Sequence, residues 1–225
     1  MPKDPRTLLG TNRIIHQPVS CGSGKYVYLG IQSTFNDYAA ILNEDTTSCV
    51  TSIKVGINTD GLLLFRSSTV TFWPILMKLL DINSTILLIG IYCGSEKTVV
   101  EIFLSEFVRE VQSLQNSGIQ FSGKKIPFIL SFIICDAPAK SLIKSTEHHN
   151  DYFSWHYCEV EDQYLNTISF PQTDALRRSN SSFRTKRNPE HHTGTSILEQ
   201  LEFSDLVDCM PLDYMHLMCL GNPNI

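Results

Sequence analysis

No stretch of this 225-residue sequence approaches the ~20 consecutive apolar residues of a membrane span; its unbroken apolar runs are of the order of Ile86–Ile89. Behind the charges of Met1-Pro-Lys-Asp-Pro-Arg6 there is no apolar stretch, so a secretory signal is not expected. The expectation is a soluble intracellular protein, or a piece of one, with no membrane partner. Disulfide-like clustering is also missing. The seven cysteines stand singly at positions 21, 49, 93, 135, 158, 209 and 219. Cys93 and Cys135 close apolar runs, where a reduced thiol behaves as a small hydrophobe. In a reducing compartment the sequons Asn83-Ser-Thr85 and Asn180-Ser-Ser182 read as chance matches. A phosphate loop is excluded: Gly22-Ser-Gly-Lys25 lacks the earlier glycine and is followed by Tyr26. There is no internal repeat, and no zinc finger or helix-turn-helix from which a DNA target could be read.

What the chain does have is 42% hydrophobic residues against 18% charged, enough to bury a core. Net charge is −5 and unevenly spread: +2 over residues 1–145 and −7 over 146–225. The five basic residues of the later part (Arg177, Arg178, Arg184, Lys186 and Arg187) share one 11-residue window. An acidic protein is a poor non-specific polyanion binder. The window reads either as a solvated loop or as a local contact for DNA.

Periodicity sets the organisation. Tyr26-Val-Tyr-Leu29 looks like a strand, and Ser52–Asn58 alternates with period two before the Asp60-Gly61 turn. Apolar segments at Thr71–Leu80 and Thr85–Tyr92 complete a three-stranded meander, turning at Asp81–Ser84. Val100, Phe103, Leu104, Phe107, Val108, Val111 and Leu114 then repeat at helical spacing. Thr98-x-x-Glu101 predicts a capping box and Gly118 a stop. Ile126–Cys135 suits a central strand buried on both faces. Asp136 stands at its end, with Ala137-Pro138 opening a helix toward Lys144. The order is strand, strand, strand, helix, strand, helix, and the fold class is α/β. Three regions follow: a lead-in (1–50), a core (51–145) and an insertion-like region (146–225) holding six of the seven histidines.

A carboxylate caps the first core strand and another the fourth. If those strands are parallel neighbours, Asp60 and Asp136 approach at one sheet end, where hard oxygen ligands suit Mg²⁺ or Mn²⁺. The plainer reading makes Asp60 a turn residue and Asp136 a helix N-cap.

The stretch Val55-Gly-Ile-Asn-Thr-Asp-Gly-Leu-Leu-Leu-Phe-Arg-Ser-Ser68, followed by Phe72-Trp-Pro-Ile-Leu76, resembles the opening of the catalytic domain of CACTA (En/Spm-like) transposases. So do Pro5–Leu9, Ile91-Tyr-Cys-Gly94, Cys135-Asp-Ala-Pro-Ala139 and Pro211-Leu-Asp-Tyr-Met-His-Leu-Met-Cys-Leu-Gly221, in order along nearly the whole chain. The resemblance implies an RNase H-like mixed sheet and DDE-type DNA strand cleavage and transfer. Asp60 and Asp136 would be its first two acids, holding Mg²⁺ or Mn²⁺. It also implies transposon-end DNA as partner, a possible homo-oligomer and work in the nucleus.

Two departures stand out. The third acid should follow the Asp213-x-x-His216 motif, nine residues before Ile225, so the fold and active site are expected to be incomplete in this chain. A Cys-x-x-Cys pair should follow the second acid, yet the stretch reads Trp155-His-Tyr-Cys158. Cys158, Asp213 and His216, with His156, are then a degenerate candidate for Zn²⁺; a collapsed site around Trp155 is the alternative. His191-His192 and His148-His149 read as solvated loop pairs. The DNA-contact candidates are Lys124 and Lys125, with Arg184, Lys186 and Arg187. A host-retained DNA- or protein-binding remnant without catalysis is the alternative function.

Overall fold

The structure, a computed structural model, describes residues 16–42, 50–63, 69–82, 85–160, 163–164, 168–172, 174–202, 204–211 and 213. It is a mixed α/β molecule built on one mixed, mostly antiparallel sheet. β1 (Val19–Cys21) and β2 (Gly24–Tyr28) form a hairpin, followed by α1 (Ile31–Ala39). β3 (Ile53–Thr59), β4 (Leu62–Leu63), β5 (Thr71–Leu79) and β6 (Ile86–Gly94) lead to α2 (Val100–Ser117). After the β7 (Ile119–Phe121) and β8 (Lys124–Ile126) hairpin come β9 (Phe128–Ile134) and α3 (Ala137–Lys144). The remainder holds β10 (Gln163–Tyr164), β11 (Ile168–Ser169), α4 (Asn180–Arg184) and 3-10 turns at Pro189–His191 and Ile197–Gln200.

The sheet runs β1-β2-β6-β5-β3-β9, with β4 on β5. β3, β5 and β6 pair antiparallel as the predicted meander, and β9 joins β3 in parallel after the α2 crossover. The alternation in β3 is real: Ile53, Val55 and Ile57 are buried, while Lys54 and Asn58 face out. β2, from the lead-in, pairs with β6 of the core. One correction concerns β9. It ends the strand path among the described residues instead of lying at its centre, and Ile129 is 41% exposed. A run of apolar residues reports burial on average; it does not say which strand is an edge.

The registers explain one glycine. Val55 pairs with Leu130 and Gly56 with Phe132, leaving Ser131 as an extra residue in β9. A Cβ on Gly56 would stand 2.2 Å from the Phe132 ring, so only glycine lets that ring lie across β3.

All seven predicted apolar residues of α2 are buried, at roughly 1.5–3 kcal/mol each. Phe103 meets the rings of Tyr26 and Trp73 at 5.3 and 6.4 Å. Gly118 ends the helix at φ +77°, as its position predicts. The expected capping box is absent: Val99 is the N-cap, and Thr98 turns inward to Cys21 Sγ at 3.4 Å. α1 has no cap of its own either. Glu110 of α2 supplies it, accepting from the backbone N–H of Ile31 (2.8 Å) and Gln32 (2.9 Å) and from the Tyr28 hydroxyl (2.6 Å). Phe183, Leu198, Leu201, Leu206, Val207 and Met210 pack into the same continuous core as the sheet and α2.

Candidate functional site

The parallel pairing of β3 with β9 fixes where the two aspartates lie. The last pair in register is Asn58 with Ile134, tied by a bond from Asn58 Nδ2 to the Ile134 carbonyl at 3.3 Å. Two residues beyond each partner stand Asp60 and Asp136. Both line one cavity of about 310 Å³, together with Thr71, Trp73, Glu96 and Lys97. Gly61 rests on the Trp73 indole, which a Cβ would approach to 2.9 Å. Both plain structural roles are present as well. Asp60 Oδ1 accepts from the Gly61 N–H at 2.7 Å, and Asp136 Oδ1 accepts from Ala139 N–H at 2.7 Å as the N-cap of α3. An ionised carboxylate offers two oxygens and about four acceptor positions, so a capping bond does not exhaust it.

Electrostatics tie the pair together. Burial pushes the Cys135 thiol up to about 12; Lys140 and Lys144 oppose this while Asp136 and Asp60 add to it. Both carboxylates therefore act on the residue that separates Asp136 from β9. His149 is held below its ordinary value by burial and by His148, against the pull of Asp136 and Asp151. That histidine pair, its rings 4.1 Å apart, thus belongs to the surroundings of Asp136, which sequence reading missed. Glu96 and Lys97 were missed too. They stand in the short β6–α2 link, which carries no periodic signal.

Among the described residues no three His, Cys, Asp or Glu side chains converge on a metal position. Two carboxylates nevertheless fit one ion type. Mg²⁺ is held by one or two carboxylates plus water and substrate phosphates, without an all-protein cage. Asp60 and Asp136 are the residues that would hold it.

Among the described zinc candidates, Cys158, Asp213 and His156, no three-ligand group forms. Cys158 forms a strand bridge with Arg177, and Asp213 lies within electrostatic reach of Lys140. His216 lies outside the described residues. The cation that joins these segments is Lys140. Its ammonium donates to the carbonyls of Met210 (2.9 Å) and Pro211 (2.8 Å), and the Tyr157 hydroxyl also donates to Met210 (2.9 Å). Trp155 packs on Phe170 at 5.3 Å.

The later histidines depart from the solvated pair expected of them. His191 is fully buried, its Nδ1 2.6 Å from the Phe153 carbonyl, and burial holds it down at about 3. His192 lies 4.8 Å from the Phe183 ring and is lowered to about 4, burial first and Arg178 next. His156 is buried beside His191, ring centroids 5.6 Å apart.

The basic residues divide. Lys124 and Lys125 are exposed in β8. They precede β9, which is about 20 Å long at 3.3 Å per residue, whereas Asp136 follows it. Arg184 is a strut: its guanidinium donates to the carbonyls of Glu199 (2.5 Å), Leu201 (2.8 Å) and Ser204 (3.0 Å). Lys186 donates to the Thr195 hydroxyl at 2.6 Å, and Arg187 pairs with Glu159 at 3.0 Å.

The chain matches no protein-family model and no curated protein.

Proposed function

We propose that the sheet is RNase H-like and that Asp60 and Asp136 are two acids of a divalent-metal site for phosphodiester cleavage and transfer in DNA, in a transposase-derived protein. One observation carries this reading. β9 returns through α2 to lie parallel beside β3, in a register that brings an aspartate just past the end of each strand, both lining the same cavity. The order β6-β5-β3-β9 is the one that an RNase H-like core requires of its first four strands.

Mg²⁺ or Mn²⁺, when bound, supplies activation of the attacking oxygen and charge stabilisation on the leaving one. The chain's own part is orientation. The Asn58–Ile134 bond locks the strand ends, and the Ala139 N–H fixes the Asp136 carboxylate. Lys97 offers a positive charge toward a phosphate at the cavity mouth. Transposon-end DNA is the partner in this reading, a homo-oligomer the assembly and the nucleus the compartment.

Metal binding tests the pair without requiring turnover. Titrating Mn²⁺ into the chain by calorimetry should give binding that Asp60→Asn or Asp136→Asn weakens by about tenfold or more, roughly 1.4 kcal/mol. Mg²⁺-dependent nicking of supercoiled plasmid, where seen, should fall in the same two variants. Mn²⁺ affinity equal in all three proteins would refute the assignment. The capping bonds favour a second reading, a binding protein without catalysis. In that case both Asn variants keep the DNA affinity of the parent.

A further inference from the structure

A larger cavity, of about 460 Å³, adjoins the first between the start of α2, α3 and residues 145–151. Lys97, Pro138 and Leu142 line both cavities, so the two are neighbours along one groove. The second is chemically different from the first. Glu101, Glu147 and Asp151 contribute three carboxylates, beside His148, the hydroxyl-bearing Ser141, Thr146 and Thr193, and the apolar Val99, Val100 and Leu142. A phosphate is repelled there by like charge, which confines a nucleotide's anion to the Lys97 side. What such a wall accepts is a flat ring with apolar faces and N–H groups on its edge. The volume lies in the range of pre-formed small-molecule sites.

We propose that this second cavity takes the base of the nucleotide whose phosphate lies at Asp60 and Asp136, and that its carboxylates select a base with an exocyclic amine. Lys97, common to both cavities, stands at the phosphate between them. The inference rests on the metal reading for the position of that phosphate. A base in a duplex must leave its stack to enter, at a cost of a few kcal/mol, least at a strand end or a nick. Carboxylates answer best to guanine, whose ring N–H and amine lie side by side, and least to thymine, which has no amine.

The test uses the full chain in Ca²⁺, which binds oxygen ligands, with dGMP and dTMP as probes followed by calorimetry and saturation-transfer NMR. dGMP should bind about tenfold more tightly than dTMP, the scale of one well-made two-point base contact. Glu147→Gln with Asp151→Asn should erase that difference while leaving dTMP binding and its Ca²⁺ requirement intact. Glu147 is half-buried and Asp151 exposed, so both side chains reach solvent and folding is not at stake, and Glu101→Gln provides a second, exposed variant. Equal affinity for the two nucleotides, or a preference unmoved by these variants, overturns the proposal. Asp60→Asn separates the two readings. If it weakens both nucleotides alike, the metal reading stands whether or not the base preference is found. If it changes nothing while the preference still depends on Glu147 and Asp151, the base cavity stands and the metal reading falls.

Discussion

Asp136 caps α3 and, in the proposed metal site, would also hold the ion, and the two roles can be separated by one atom. Its Oδ1 caps α3 through Ala139, a job that asparagine does as well as aspartate. Asp136→Asn should therefore melt close to the parent, while Asp136→Ala should lose about 1 kcal/mol of stability. Both should lose Mn²⁺ affinity. Thermal melts beside metal titrations check this, and an Asn variant that binds Mn²⁺ like the parent would reduce Asp136 to a cap. The two aspartates were legible because each ends a run with clear strand periodicity and opens a turn or helix. Glu96, Lys97 and His149 were not: what makes them part of the site is the folding of the β6–α2 link and of residues 145–151 against one sheet end. His191 shows the same limit from the other side. A polar pair beside Pro189 and Glu190 reads as solvated, yet the Phe153 carbonyl, 38 positions away in sequence, satisfies its Nδ1 and allows its burial.

Elements hold one another in register through a few long-range contacts. Glu110 is the clearest, because α1 begins without a cap of its own and takes one from the middle of α2. Glu110→Ala leaves two backbone donors and the Tyr28 hydroxyl without their acceptor. The expected loss is about 2–3 kcal/mol by urea denaturation, with Glu110→Gln recovering part of it. Equal stability of parent and Ala variant would mean that water replaces the carboxylate. Helix α2 itself was legible from its seven-residue apolar face, and the meander from alternation and turn chemistry. The Thr98 cap was not, since a threonine three residues before a glutamate satisfies the pattern whether its hydroxyl points at the helix or, as here, at Cys21. The place of β9 in the sheet was not legible either. Its apolar run fixes that it pairs, and the β3 register fixes with what.

At the scale of the whole molecule, the notable feature is how many bases are buried near one another. Lys144 of α3 and Arg178 both act electrostatically on His156, His191 and His192, Lys140 acts on Lys144 and His156, and Phe183 packs among them, 4.5 Å from the Lys144 ammonium. Burial lowers Lys144 to about 7 and His191 to about 3. The sign follows from which state holds the proton. Between about 3 and the ordinary histidine value near 6.5, the unfolded chain carries a proton on His191 that the folded chain refuses. Stability therefore rises with pH across that window and is lost as pH falls through it. Lys144 behaves alike in a higher window, from about 7 to the ordinary lysine value near 10.4. Urea midpoints taken at about pH 9, 7.5, 6 and 4.5 should fall at every step. His156→Phe, which keeps an aromatic ring in place without a titrating group, should flatten the acid part of that profile. Lys144→Met should raise the midpoint near pH 7 and flatten the alkaline part, because the methionine fills the space beside Phe183 with no charge to desolvate. An acid part equally steep in His156→Phe would place that sensitivity in carboxylates, and an alkaline part equally steep in Lys144→Met would clear Lys144 of it. The distinction bears on the site, because α3 carries Lys140 and Lys144 on the helix that Asp136 caps. Acid that loosens the cluster should then weaken Mn²⁺ binding at a higher pH than protonation of the two carboxylates alone would.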